Sequence, residues 1–198
     1  MLLKDALSGR RIVLGSASPR RRELLAGLGL EFTVEATPGA PETYSPDLSP
    51  DEVPSALAAS KSEGFHRLLE DDEILITADT VVICGPDILG KPSGRDEAAQ
   101  MLRELSGRAH RVVTGVCIRD TRHRSIFSCT SEVEFKTLTD EEINYYIERF
   151  RPFDKAGSYG IQEWIGYIGI TSIRGSYFNI VGLPVQRLYT ALSEFIGL

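Results

Sequence analysis

The sequence predicts an α/β protein with a mixed, twisted central sheet flanked by helices. Three observations carry that expectation. Helix and strand signals alternate along the chain. Residues 74–84 form one apolar run, interrupted only by Thr77, Asp79 and Thr80. Helix starts recur with capping chemistry, at Ser18-Pro19, Ser49-Pro50-Asp51-Glu52, Ser93-x-x-Asp96 and Thr139-x-x-Glu142.

Taken in order, Ile12-Val13-Leu14 reads as a short strand, and Gly15 and Ser16 turn the chain. Ser18 is the expected N-cap of the next helix, Pro19 its first helical residue, and Leu24, Leu25 and Leu28 follow at helical spacing. A second strand is expected over 31–35. A loop containing Pro38, Pro41, Pro46 and Pro50 covers 37–50. The helix opened by Ser49 carries Leu57, Lys61 and Phe65 towards Leu69, and the 74–84 strand comes next. From Ser93 a helix runs through Ala98, Met101, Leu102 and Leu105 until Ser106-Gly107 stops it. Residues 112–118 and 125–136 read as antiparallel strands around a polar turn at 120–124. Thr139 opens a helix that ends near Arg151-Pro152. Glycine-punctuated segments fill 157–177, and Pro184 leads into a last amphipathic helix with Leu188, Leu192 and Phe195.

A chain of 198 residues can bury a real core, so one domain spanning 1–198 is expected, with room for two lobes. Its 42% hydrophobic and 25% charged content is ordinary for a soluble globular protein. A net charge of −6 argues against stable nucleic-acid binding, which depends on neutralising phosphates with a basic face. Any anion site is then a local basic pocket suited to a small phosphorylated ligand. Cys84, Cys117 and Cys129 are widely separated and form no CxxC pair, which fits free thiols in a reducing cytoplasmic compartment. His66, His110 and His123 have no metal-ligand spacing. Met1-Leu2-Leu3-Lys4-Asp5 is too short an apolar run, with too early an acid, for a signal peptide. No apolar run approaches the roughly 18 residues of a membrane span.

Ser18-Pro19-Arg20-Arg21-Arg22 places cations where a helix start disfavours them by roughly 0.3–1 kcal/mol each. With Ser16, these residues assemble hydroxyls, guanidinium forks and backbone donors into a phosphate site. A solvated basic turn is the plain alternative. Asp79 stands in an apolar strand, so its carboxylate must be paired, metal-bound or catalytic, unless nearby backbone N–H groups satisfy it. The Gly85-x-x-x-x-Gly90-Lys91 spacing approaches a P-loop, but Pro92 replaces the required hydroxyl residue and Pro86 removes a backbone donor. Lys91 is either a phosphate-contacting charge at a turn or a solvated lysine. Lys61 reads by default as a surface lysine on its helix. Residues 154–162 combine two glycines with Gln162, whose amide suits a base edge, although a plain glycine-rich turn accounts for them equally well.

Ser16-Ala17-Ser18-Pro19-Arg20-Arg21, Ala78-Asp79-Thr80, Gly90-Lys91-Pro92, Ser106-Gly107-x-x-His110, Asp154-Lys155-Ala156-Gly157-x-Tyr159-Gly160-Ile161-Gln162 and Gly182-Leu183-Pro184, in this order, resemble the Maf family of nucleotide pyrophosphatases. The resemblance runs from about residue 12 to the C-terminus. It implies a fold like that of inosine-triphosphate pyrophosphatases with a cleft between two lobes, usually a homodimer, and hydrolysis of a nucleoside triphosphate to monophosphate and pyrophosphate with a divalent cation. Arg20, Thr80 and Gln162 resemble the subgroup that acts on dTTP and UTP. The family's acidic stretch after the second strand is reduced here to Pro38-Gly39-Ala40-Pro41-Glu42, leaving Glu42 as its acid and Glu35 as a less well placed substitute.

On that resemblance, Asp79 is the expected general base for water attacking the α-phosphorus, with Asp79 and Glu42 holding Mg²⁺ or Mn²⁺. Ser16, Ser18, Arg20 and Arg21 would hold the triphosphate, Lys61 and Lys91 would stabilise the leaving pyrophosphate, and Thr80 and Gln162 would read the pyrimidine. Rival readings are a nucleotide-binding regulator of cell division without significant turnover and a P-loop ATPase or kinase. Pyrophosphate release separates the first from an enzyme, and the products formed from ATP identify the second.

Overall fold

The computed structural model describes residues 1–37 and 43–198, and among them the α/β expectation holds. Seven strands form one mixed sheet: β1 (Arg11–Leu14), β2 (Phe32–Val34), β3 (Glu73–Cys84), β4 (Asp87–Leu89), β5 (Ala109–Arg119), β6 (Arg124–Phe135) and β7 (Ile170–Arg174). Their order is β2-β1-β3-β5-β6-β7, with β4 also paired to β3. The helices are α1 (Leu3–Ala6), α2 (Pro19–Ala26), α3 (Val53–Glu63), α4 (Arg95–Leu105), α5 (Asp140–Phe150), α6 (Trp164–Gly169), α7 (Tyr177–Val181) and α8 (Val185–Phe195). Two compact units emerge. The first comprises Met1–Asp79, Thr114–Cys129 and Gly182–Leu198; the second comprises Thr80–Val113 and Thr130–Val181.

In the first unit, β1 pairs in parallel with both β2 and β3, Leu14 standing beside Val34 and Ile76. The alternation of a strand's side chains sorts the core into two faces. Ile12, Leu14, Ile74 and Ile76 pack with Leu3, Leu25, Leu188 and Leu192. Val13 and Leu75 pack instead with Phe65. On that second face Thr77 donates its hydroxyl to the Ala58 carbonyl of α3 at 2.7 Å. Gly115 lets β5 meet the same helix, since a Cβ there would lie 2.3 Å from the Pro54 carbonyl.

The second unit wraps α4, α5 and α6 around Val82, Val112, Val133 and Phe135. Thr139 and Glu142 complete a reciprocal capping box at the start of α5. Its end is marked by Arg151 in the left-handed region, φ 48°, just before Pro152. Gly107, at φ +68°, follows α4 as expected.

Some boundaries differ from the sequence reading. Ser49 and Glu52 form a capping turn, in which the Glu52 carboxylate accepts from the Ser49 N–H at 2.9 Å and from its hydroxyl, so α3 starts at Val53. Gly64 ends it, which leaves Phe65 and Leu69 off the helix. At α4 the partner of Ser93 is Glu97 rather than Asp96. The near-P-loop spacing is a hairpin: Ile83 pairs with Ile88, and Gly85 turns between the strands at φ +58°. A hairpin ladder leaves no run of N–H groups for phosphate.

An ion network closes the start of β3. Arg67 binds Glu35 at 2.9 and 2.8 Å and Glu73 at 2.7 and 2.9 Å, and Glu73 is only 2% exposed. Hydrogen bonds from Arg67 hold both carboxyls below their ordinary value. A depressed carboxyl stabilises the fold above its unfolded value and loses that contribution as pH falls through the folded one. The melting temperature should therefore fall as pH drops below about 4.5, and Glu73→Gln should flatten that acid limb. A limb of unchanged steepness in the variant would show that the network contributes nothing.

Candidate active site

Asp79 occupies the position where β3 leaves the first unit, and Lys61 on α3 forms an ion pair with its Oδ1. The two side chains are 13% and 17% exposed. The partner of this strand carboxylate is thus an ammonium group, not the backbone N–H groups considered from sequence, and Lys61 is not a surface lysine. Asp79 hydrogen-bonds to no other described residue, so Oδ2 is available to a ligand or a water molecule.

The turn after β1 is built as the sequence suggested. Gly15 donates to the Ile76 carbonyl at 2.8 Å, and a Cβ on it would come within 2.8 Å of the Thr77 methyl. The parallel β1–β3 pairing ends at Leu14 and Ile76, so this turn and Asp79, further along β3, both lie past the carboxyl-side end of that ladder, where ligands of open α/β sheets bind. Ser18 caps α2, accepting from the Arg21 N–H at 3.4 Å, and the first turn of α2 holds no acid. Ser16 is buried and accepts from the Ser18 N–H at 3.3 Å. Arg21 donates through Nε to the Gly182 carbonyl at 2.9 Å, while another guanidinium nitrogen lies 3.5 Å from the Ser16 hydroxyl. Ser16, Ser18 and Arg21 are therefore brought together, with half-buried Arg20 in the same first turn. Gly182 belongs to this cluster, although the sequence assigned it no role.

Thr80, Lys91 and Gln162 belong to the second unit. The Gly90 carbonyl accepts from the Gly157 N–H at 3.1 Å, pinning the turn that carries Lys91 to the loop that leads to Gln162. Gly157 is at φ +67°, and a Cβ there would lie 3.0 Å from the Val82 methyls. Buried polar contacts hold the same loop. Lys155 bridges Asp154 at 2.7 Å and Glu163 at 3.1 Å. Tyr146 donates to Glu163 and accepts from the Gly160 N–H at 3.0 Å. Burial, followed by the bond to Glu163, pushes the Tyr146 phenol up, so it stays a donor. Tyr159 meets His110 Nε2 at 2.7 Å, and burial lowers the His110 imidazole to about 4, keeping it neutral. Tyr146, Glu163 and the His110–Tyr159 contact were not assigned roles from sequence, because pairings across 14 to 49 residues leave no local spacing signal.

Glu42 lies outside the described residues. Glu35, its possible substitute, is engaged on both oxygens by Arg67. Among the described residues no group of three His, Cys, Asp or Glu side chains gathers in a metal-binding arrangement. No helix of the described chain is long and apolar enough to cross a membrane.

The ion pair makes a stability test possible. Lys61→Met leaves Asp79 uncompensated and should cost on the order of 3 kcal/mol, the low end for breaking a buried pair. The double variant Lys61→Met/Asp79→Leu should recover most of that loss in urea unfolding. Strictly additive losses would mean that the two side chains are not coupled.

A family model described as Maf-like protein matches residues 11–195. A dTTP/UTP pyrophosphatase of Porphyromonas gingivalis is 55% identical over 193 residues, covering 96% of this chain and 97% of its own. A dTTP/UTP pyrophosphatase of Phocaeicola vulgatus is 51% identical over 190 residues, covering 96% and 98% respectively. Among solved structures, a HAM1 protein from Coxiella burnetii matches with a TM-score of 0.49 at 16% identity, over 93% of this chain and 99% of that one. With a family match over nearly its whole length and relatives above half identity, the chain belongs to the Maf-like protein family.

Proposed function

We propose that this chain is a nucleoside triphosphate pyrophosphatase that hydrolyses dTTP and UTP to the monophosphate and pyrophosphate. The observation that carries the reading is the Lys61–Asp79 pair, which follows the same end of the parallel β1–β3 ladder as the serine and arginine turn. Relatives named dTTP/UTP pyrophosphatase, 42–55% identical over nearly the whole chain, support the substrate assignment. The whole chain, 1–198, is proposed to act as one functional domain, as a cytoplasmic homodimer.

In this reading Ser16, Ser18, Arg20, Arg21 and the α2 N-terminus bind the triphosphate. Asp79 takes the proton of the attacking water through Oδ2 as its oxygen bonds to the α-phosphorus. The bond to the bridging oxygen breaks, and pyrophosphate leaves with the electron pair. Lys61 holds Asp79 in place through Oδ1, and Lys61 and Lys91 offset the charge that develops on the leaving group. Thr80 and Gln162 read the pyrimidine. The carboxylates of Asp79 and Glu42 are the hard oxygen donors that would hold, together with the substrate phosphates, a divalent cation such as Mg²⁺ or Mn²⁺. Such a cation, when bound, neutralises phosphate charge and makes water more acidic.

A panel of nucleoside triphosphates, with Mg²⁺ or Mn²⁺ and with chelator, tests the reading. Pyrophosphate and monophosphate should form from dTTP and UTP about tenfold or more faster than from purine nucleotides, the scale of one base hydrogen bond. Chelation should abolish turnover. Tight nucleotide binding without pyrophosphate would favour the regulator, and inorganic phosphate from ATP would favour a phosphotransfer enzyme.

A further inference from the structure

The second unit contains a cavity of about 300 Å³ that includes Gln162 and whose other walls include Ile161, Ile170, Ile173, Tyr167 and Tyr177. Gly166 makes the wall possible. The start of α6 passes so close to the preceding turn that a Cβ on Gly166 would lie 1.9 Å from the Ile161 carbonyl. The cavity is lopsided in chemistry. One amide, Gln162, stands among aliphatic side chains and two phenol rings, and much of that apolar surface faces water. Tyr167 is 82% exposed, Tyr177 41% and Ile173 39%. Burial, and after it the neighbouring Tyr167 phenol, push the Tyr177 phenol up.

Small-molecule pockets combine apolar walls with a few orienting polar groups, and this volume lies at the low end of their roughly 300–1,000 Å³ range. Exposed rings beside one amide fit a flat heteroaromatic group, which stacks on a ring and hydrogen-bonds at its edge. We infer that Tyr177 and Tyr167 are specificity-determining residues that stack on the pyrimidine ring of the substrate while Gln162 reads its edge. The inference rests on the proposed function. It adds a ring-stacking contribution to base recognition, a term the polar pair Thr80 and Gln162 does not supply. The occupant is taken to be the base rather than a second copy of the chain, because the wall contains the residue already assigned to base reading.

Equilibrium binding of dTMP and of inorganic pyrophosphate to the full chain tests this. The fluorescence of Trp164, the chain's only tryptophan and a member of the same helix as Tyr167, provides the signal. Tyr177→Ala and Tyr167→Ala should each weaken dTMP binding by about 5- to 100-fold, the scale of one base–aromatic stack. Pyrophosphate affinity should not change, and Tyr177→Phe should restore dTMP binding to within about threefold because the ring remains. For dTTP hydrolysis by Tyr177→Ala, KM should rise while kcat holds. Unchanged dTMP affinity in both alanine variants overturns the inference, as does an equal loss for dTMP and pyrophosphate. A fall in oligomer mass with dTMP affinity intact also overturns it, and assigns the rings to a subunit contact. If the wild-type chain prefers dTTP and only Gln162→Ala alters that preference, the stacking inference fails and the proposed function stands. A wild-type chain that neither binds dTMP nor hydrolyses dTTP refutes both.

Discussion

A carboxylate on an apolar strand needs a compensating charge, and Lys61 provides it to Asp79. Much of the first unit follows from that requirement. Lys61 reaches the strand because α3 lies against it, with Thr77 bonded to the Ala58 carbonyl and Gly115 leaving room for Pro54. One carboxylate oxygen is thereby committed to the ammonium, and the other is the one to which the proposed proton transfer is assigned. An unpaired aspartate here would be costly to bury. An aspartate with both oxygens engaged, like Glu35 under Arg67, would be chemically occupied. Asp79 lies between these extremes.

The second unit has a different task, holding a glycine-containing loop in one conformation. Gly157 needs its positive φ and a close approach to Val82, which a side chain would block. Lys155 and Glu163 tie residues near the two ends of the loop, Tyr146 takes the Gly160 N–H between them, and Tyr159 is fixed on neutral His110. Polar groups this deeply buried stabilise only when nearly all are satisfied, and in that state they define one geometry. The base-reading role proposed for Gln162 would need such support, because an amide displaced by an ångström makes no useful hydrogen bond.

Much of the fold was legible because its signals are local. Ser18-Pro19, the Thr139–Glu142 box and the Ser106-Gly107 stop act over a few residues, and the structure contains all three. The spacing after Ser49 predicts too long a helix because Phe65 continues it. The structure instead buries Phe65 against Val13 and Leu75 from beyond Gly64. At the site, Asp79 was conspicuous as an acid among aliphatic residues, whereas its partner was not, since Lys61 is 18 residues away on another element. The hold of Arg21 on the Gly182 carbonyl, across 161 residues, was out of reach for the same reason. Local rules announce which groups are unusual, while long-range packing decides what they touch.

Single-turnover hydrolysis of dTTP by Asp79→Asn, in a variant shown by thermal melting to remain folded, decides what the Lys61–Asp79 pair does. Asparagine keeps the size of the side chain but cannot take a proton. The rate of pyrophosphate formation should fall by more than about a hundredfold. Turnover close to that of the unmodified chain would mean that another group activates the water, and the role assigned to the Lys61–Asp79 pair would be wrong.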